Sequence, residues 1–164
     1  MSTATRFGLV LLASALTAGL APSMAAAKSP VQVAIWHPIQ YIDDEESVGR
    51  FRFCLLYGVN QDVTGIDISP LAARTTGNQL GLQLAMYAEV DGNLSGWQGG
   101  GVARVGGILR GVQHGFLFNE AGDMRGIQIS LINRADRLDG AQIGLLNFND
   151  AGPLYFTPFL NFSF

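Results

Sequence analysis

From residue 50 to residue 145 the chain alternates apolar with polar or small side chains at a period of two, and the alternation restarts every 14 to 16 residues. Gly65, Gly81, Gly96, Gly111, Gly126 and Gly140 mark the restarts, and degenerate copies begin at Arg50 and at Pro30. With each start numbered 0, position +2 is Gln32, Arg52, Asp67, Gln83, Gln98, Gln113, Gln128 and Gln142. Position +4 is always small: Ala34, Cys54, Ser69, Ala85, Gly100, Gly115, Ser130 and Gly144. Positions +1, +3 and +5 are mostly apolar, as in Ile127, Ile129 and Leu131. A period of two puts one set of side chains on each face of a strand, so every copy predicts a strand and not a helix. Turn-forming stretches at 75–78, 91–93, 121–123 and 149–152 separate copies. The pattern therefore predicts one all-β domain over residues 28–164, with eight repeat strands and a different C-terminal segment.

Each strand pattern is nearly symmetric about its centre. Such symmetry keeps like side chains adjacent when neighbouring strands run in opposite directions. The first expectation is therefore an antiparallel meander of eight or nine short Gly-rich strands that closes into a small barrel and leaves no open edge. The small–Gln–small face would fill the narrow interior and the aliphatic face would point outward, toward lipid. Positions −2 to +7 give ten residues, close to the roughly 9–11 that a spanning strand needs. Arg110, Arg125 and Asp139, at −1, shorten that stripe. The alternative is a β-solenoid of 15-residue coils, with Gln83, Gln98, Gln113 and Gln128 stacked as an amide ladder and the aliphatics inside.

The start of the chain changes where this domain is expected to reside. Arg6, the apolar run 7–20 and Ala25, Ala26 and Ala27 follow the order of a secretory signal peptide, with cleavage after Ala27 or, alternatively, Ala25. Without Arg6 the mature chain keeps nine Lys and Arg against thirteen Asp and Glu, a net charge of −4. That balance, with no basic cluster, argues against nucleic acid as a partner. Cys54 is the only cysteine, so an exported chain has no internal disulfide and no cysteine metal site. Its place in the small +4 column gives it a structural role.

Residues 30–38 with Trp36, His37 and Pro38, the stretch 55–60 ending in Gly58, Val59 and Asn60, and the repeats ending in Asn133 and Asn147 share a further likeness. Together with the final Phe159, Leu160, Asn161, Phe162, Ser163 and Phe164 they resemble the leptospiral-type bacterial surface-repeat family. Gly99, Gly100 and Gly101 stand where that resemblance leads one to expect aliphatics. It implies export and a surface location, and it implies no activity.

Candidate chemistry is sparse. Asp43, Asp44, Glu45 and Glu46 form a carboxylate run that a hard divalent cation could use, but there is no EF-hand spacing and the plainer reading is a solvated acidic loop. His37 and His114 are the only histidines, and no Ser/His/Asp arrangement is legible. Asp67, if buried, needs a partner, and Arg52 at the same position of the preceding copy is the natural one. The glycines at 99–101 and 106–107 match no phosphate-binding loop and read as kinks in the sheet. Trp36, Tyr41, Tyr57, Tyr87, Trp97 and Tyr155 could form interfacial belts or be ordinary sheet residues. Leu160, Phe162 and Phe164 share one face of the last strand, like the terminal signal of outer-membrane barrels. The expectation is a non-enzymatic, cofactor-free surface or outer-membrane protein, with outer-membrane lipid and its assembly machinery as partners. The alternative is a soluble secreted or periplasmic binding module that uses a repeat face.

Overall fold

The computed structural model describes residues 28–164; the signal peptide expected at 1–27 lies outside them. The strands are β1 (Ser29–Trp36), β2 (Ile39–Gln40), β3 (Val48–Asn60), β4 (Val63–Thr75), β5 (Gln79–Val90), β6 (Leu94–Ile129), β7 (Ile132–Asn149) and β8 (Phe156–Ser163). They form one sheet in the order β2-β1-β3-β4-β5-β6-β7-β8.

The all-β expectation holds and the barrel does not. From β1 through β7 each successive coil lies parallel to the one before it. A two-residue hairpin cannot join parallel neighbours, because the chain must first return to its starting end. Here the second half of each 15-residue copy makes the return. The chain thus winds as a β-solenoid of about eight turns, the second of the two architectures. The symmetric pattern was compatible with both, since in a parallel stack identical positions lie over one another whatever the symmetry.

The packing inside the coils also differs from the solenoid expectation. The glutamines at +2 are inside, and the aliphatics at +1, +3 and +5 are outside. Gln83, Gln98, Gln113, Gln128 and Gln142 are fully buried. Gln98 shows why this costs little: its amide donates to Gln83 Oε1 at 2.9 Å, to Ala88 O at 3.3 Å and to Arg104 O at 3.2 Å. The amide spans the narrow coil and satisfies carbonyls of the opposite wall. A buried amide is tolerable when its hydrogen bonds are made, and each link then adds about 1 kcal/mol net. The ladder runs on through Gln113, Gln128 and Gln142 with donor–acceptor distances of 2.7 to 2.8 Å.

The glycine column is required by the same stacking. Gly65, Gly81, Gly96, Gly111, Gly126 and Gly140 all have φ between 99° and 143°. A Cβ on Gly111 would also lie 2.0 Å from Gly96 O. Both the dihedral and the close approach exclude any other residue. Beside the ladder, Leu94, Leu109, Met124 and Leu138 at −2 pack on Val90, Val105, Ala121 and Ala135 of the return strand, giving a small apolar core.

Both ends of the stack are covered. β2 folds back on β1, and β8 runs antiparallel along β7. Asn161 of β8 donates to Gln142 Oε1 at 3.0 Å and so closes the amide ladder. Covering the terminal edges limits strand addition by another chain.

Candidate functional site

The solenoid has two outward faces of opposite character. The first, at +1, +3 and +5 of each copy, is apolar except at Gly99, Gly101 and His114. Val33, Ile66, Met86, Ile129 and Leu145 are exposed on it, and Leu160 and Phe162 of β8 continue it. Nine stacked strands at about 4.8 Å make it about 38 Å long, and five residues make it about 17 Å wide. Its area, on the order of 650 Å², exceeds the roughly 300–600 Å² of the largest patch on a typical monomer. The C-terminal Leu160 and Phe162 thus extend the apolar face on the capping strand, Phe164 projects into solvent, and there is no barrel seam for them to close.

The second face, on the return strands, carries charge. Arg74, Glu89, Arg104, Glu120 and Arg134 occupy one column with alternating sign. Stacking like charges about 4.8 Å apart would repel, and alternation removes that cost. Further pairs cross between coils: Arg74 Nη2 to Asp91 Oδ2 at 2.8 Å, Arg104 Nε to Glu120 Oε2 at 2.7 Å and Arg134 Nη2 to Asp150 Oδ2 at 2.8 Å. The hydrogen bond to Asp91 raises the pKa of Arg74 above its ordinary value.

The apolar face has one interruption. Gly99 and Gly101 remove the +3 and +5 side chains of one coil, and Leu84 and Met86 of the preceding coil stand beside His114 and Phe116 of the next. A groove of about 520 Å³ results, with Trp97 and Leu117 also in its wall. Neither glycine has a positive φ, so the backbone dihedral does not require them. With no barrel to close, the reading of these glycines as kinks loses its basis, and Gly99 and Gly101 instead open a groove in the apolar face. His114 is exposed at its edge.

The remaining sequence candidates lie apart. In the run Asp43 to Glu46, backbone carbonyls hold Asn60, whose Nδ2 donates to Asp43 O at 3.1 Å and Glu46 O at 3.5 Å. Asp44 lies 3.8 Å from His37 Nε2. Among the described residues no three His, Cys, Asp or Glu side chains converge as a metal site would require. Arg52 and Asp67 do meet, fully buried, with Arg52 Nε donating to Asp67 Oδ1 at 2.9 Å. Cys54 is buried in the small column, and burial pushes its thiol pKa up. Trp36, Tyr41, Trp97 and Tyr155 are exposed, while Tyr57 and Tyr87 are half-buried in the sheet.

Two features escaped the sequence reading. One is the alternating charge column, visible as a sign change every 14 to 16 residues at +8 or +9. The other is a second amide ladder, in which Asn119 donates to Asn133 at 3.0 Å and Asn133 to Asn147 at 2.9 Å. Its signal is the 14-residue spacing of those asparagines. No family model, no curated protein and no solved structure matches the chain.

Proposed function

We propose that this chain is an exported, non-enzymatic surface protein that lies on the outer membrane through its apolar face and turns its charged face to water. The observation that carries the reading is the segregation of the apolar face from a charged column that spans the five coils from Arg74 to Arg134. A flat apolar surface of this size costs free energy in water until something covers it. A lipid surface fits because Arg110 and Arg125 at −1 and Arg50 at 0 project along the edge of the apolar stripe, where anionic headgroups would meet them. Among the described residues no carboxylate lies within 4.0 Å of Arg50 or Arg110. The signal-like N-terminus and the resemblance to surface-repeat proteins point the same way. The non-enzymatic reading rests on where the polar side chains go: the buried Gln, Asn, Arg52 and Asp67 are bonded between coils and are not free to act on a substrate.

Fractionation of cells expressing the full chain tests this. The protein should sediment with outer membranes and come off in a carbonate or urea wash. Recovery in the soluble fraction would refute lipid docking and would make the same face a protein-binding surface of a secreted module.

A further inference from the structure

Building on the membrane-docking reading, we propose that Arg110 and Arg125 together grip the phosphomonoester of one lipid headgroup at the rim of the apolar face. The pair departs from a rule that the strands otherwise keep. Arg52 lies on Asp67, Arg74 on Glu89, Glu89 on Arg104, Glu120 on Arg134 and Asp123 on Arg137, each time with opposite charges in register. Arg110 and Arg125 also lie one coil apart in register, since Gly111 stands against Gly126 and Gln113 accepts from Gln128. Among the described residues they are the one like-charged pair stacked in register within the strands. Like charges on adjacent rungs, about 4.8 Å apart, repel. One anion bound by both guanidiniums removes that cost.

The neighbouring carboxylates leave both guanidiniums available. The one 4.0 Å from Arg125 belongs to Asp123, which Arg137 holds at 3.2 Å. Asp139 follows Arg125 in register without forming an ion pair with it. Both arginines are exposed, and the next outward residues on their strands, Val112 and Ile127, belong to the apolar face. A bilayer against that face brings its headgroups to the level of the two arginines. Donor geometry then selects the phosphate. Each guanidinium presents a two-pronged fork that matches phosphate oxygens. A phosphomonoester carries a charge of about −1.5 to −2 and three terminal oxygens, enough for both forks. A phosphodiester carries a single charge and has only two terminal oxygens, which one fork occupies.

Vesicle flotation of the purified protein tests this. Phosphatidic acid and phosphatidylglycerol, each diluted in phosphatidylcholine to equal zeta potential, offer a monoester and a diester. The parent should bind the phosphatidic acid vesicles about tenfold more tightly. Arg110→Lys and Arg125→Lys keep the charge and lose the fork. Each should bind phosphatidylglycerol vesicles as the parent does and lose most of the preference. Arg50→Lys should keep the preference, and an equal loss there would overturn the assignment to this pair. All three side chains are exposed, so the variants should melt with the parent by circular dichroism. A parent without preference, or a folded Arg110→Lys or Arg125→Lys that keeps it, overturns the headgroup site and leaves membrane docking standing. A parent that binds neither vesicle overturns the docking reading itself. Glycerol 3-phosphate titrated by calorimetry is the second arm: binding to it without binding to vesicles overturns the membrane as the source of the phosphate.

Discussion

Removing one partner of the Arg52–Asp67 pair should cost far more than removing both. In Asp67→Ala the Arg52 guanidinium loses both carboxylate contacts and keeps only Arg74 O at 3.0 Å and Thr75 Oγ1 at 3.1 Å. Gln83 Nε2 also loses its acceptor, 3.0 Å away on Asp67 Oδ2. Both residues are inaccessible to solvent, so water does not replace what is lost. Breaking a buried pair in this way costs about 3–5 kcal/mol. With a urea m-value of about 2 kcal/mol/M, the unfolding midpoint should fall by roughly 1.5–2.5 M. The double substitution Arg52→Gln with Asp67→Gln behaves differently. Positions 52, 67 and 83 are in register, so two glutamines extend the ladder by the geometry that already joins Gln98 to Gln83. Each new amide link contributes about 1 kcal/mol and the desolvation of two charges disappears, so the double variant should lie within about 1 kcal/mol of the parent or above it. Urea unfolding of the parent, Asp67→Ala and the double variant, followed by far-ultraviolet circular dichroism, measures the three stabilities. A loss under about 1 kcal/mol in Asp67→Ala, or a double variant as unstable as the single, would refute the view that the pair substitutes for two rungs of the ladder.

The other expectations are narrower. Gly111→Ala, at φ 131° and with the new Cβ 2.0 Å from Gly96 O, should lower the thermal midpoint severely, whereas Gly99→Ala should change it little. A melt of each variant decides this, and equal losses would show that the glycine column is not conformationally required. Glu89→Lys places a cation between Arg74 and Arg104 and should destabilise by about 1 kcal/mol at low salt, most of it recovered in 1 M sodium chloride, where the Debye length is about 3 Å; Glu89→Gln is the neutral control. Cys54 gives a pH dependence. Burial raises its folded pKa, so the folded state holds the proton longer than the unfolded one. The corresponding stability is full below the unfolded thiol pKa of about 8.5 and is lost as pH rises through and beyond it. Parent minus Cys54→Ala stability should therefore fall as the pH rises through and above about 8.5; a difference independent of pH would contradict the burial of the thiol.

How much of this was legible in the sequence depends on which direction each signal points. Alternation along a strand reports the two faces of the sheet, and the repeat columns, the buried Arg52–Asp67 pair and the structural place of Cys54 all followed from it. It does not report the direction of the neighbouring strand. A pattern symmetric about Gln113, with Gly111 and Gly115 on either side, stacks equally well on a parallel or an antiparallel copy. The assumption that aliphatics must be inside a solenoid failed for a dimensional reason. With glycine at 0 and a small residue at +4 the opposite wall comes close, and only a side chain that can hydrogen-bond that wall belongs between them, as Gln98 does with Ala88 O and Arg104 O.

The signals that separate the two architectures run across the strands. Gly65 to Gly140 all adopt a positive φ because each stands directly on the carbonyl of the same position one coil earlier. An antiparallel neighbour would put a different position there, and a glycine at 0 of every copy would serve no purpose. The charge column carries the same information. Arg74, Glu89, Arg104, Glu120 and Arg134 alternate in sign between successive copies, which matters only if the equivalent position, +8 or +9, of one copy touches that of the next. In a meander those positions meet the far end of the neighbouring strand, and nothing selects alternation. The same columns explain why Gly99 stands out. In a parallel stack a missing side chain interrupts a continuous apolar row and leaves a groove bounded by its own equivalents, Leu84 and His114. In a barrel the same glycine would be one small residue among unrelated neighbours. The parallel winding thus turns a local departure from the repeat into a groove in the apolar face.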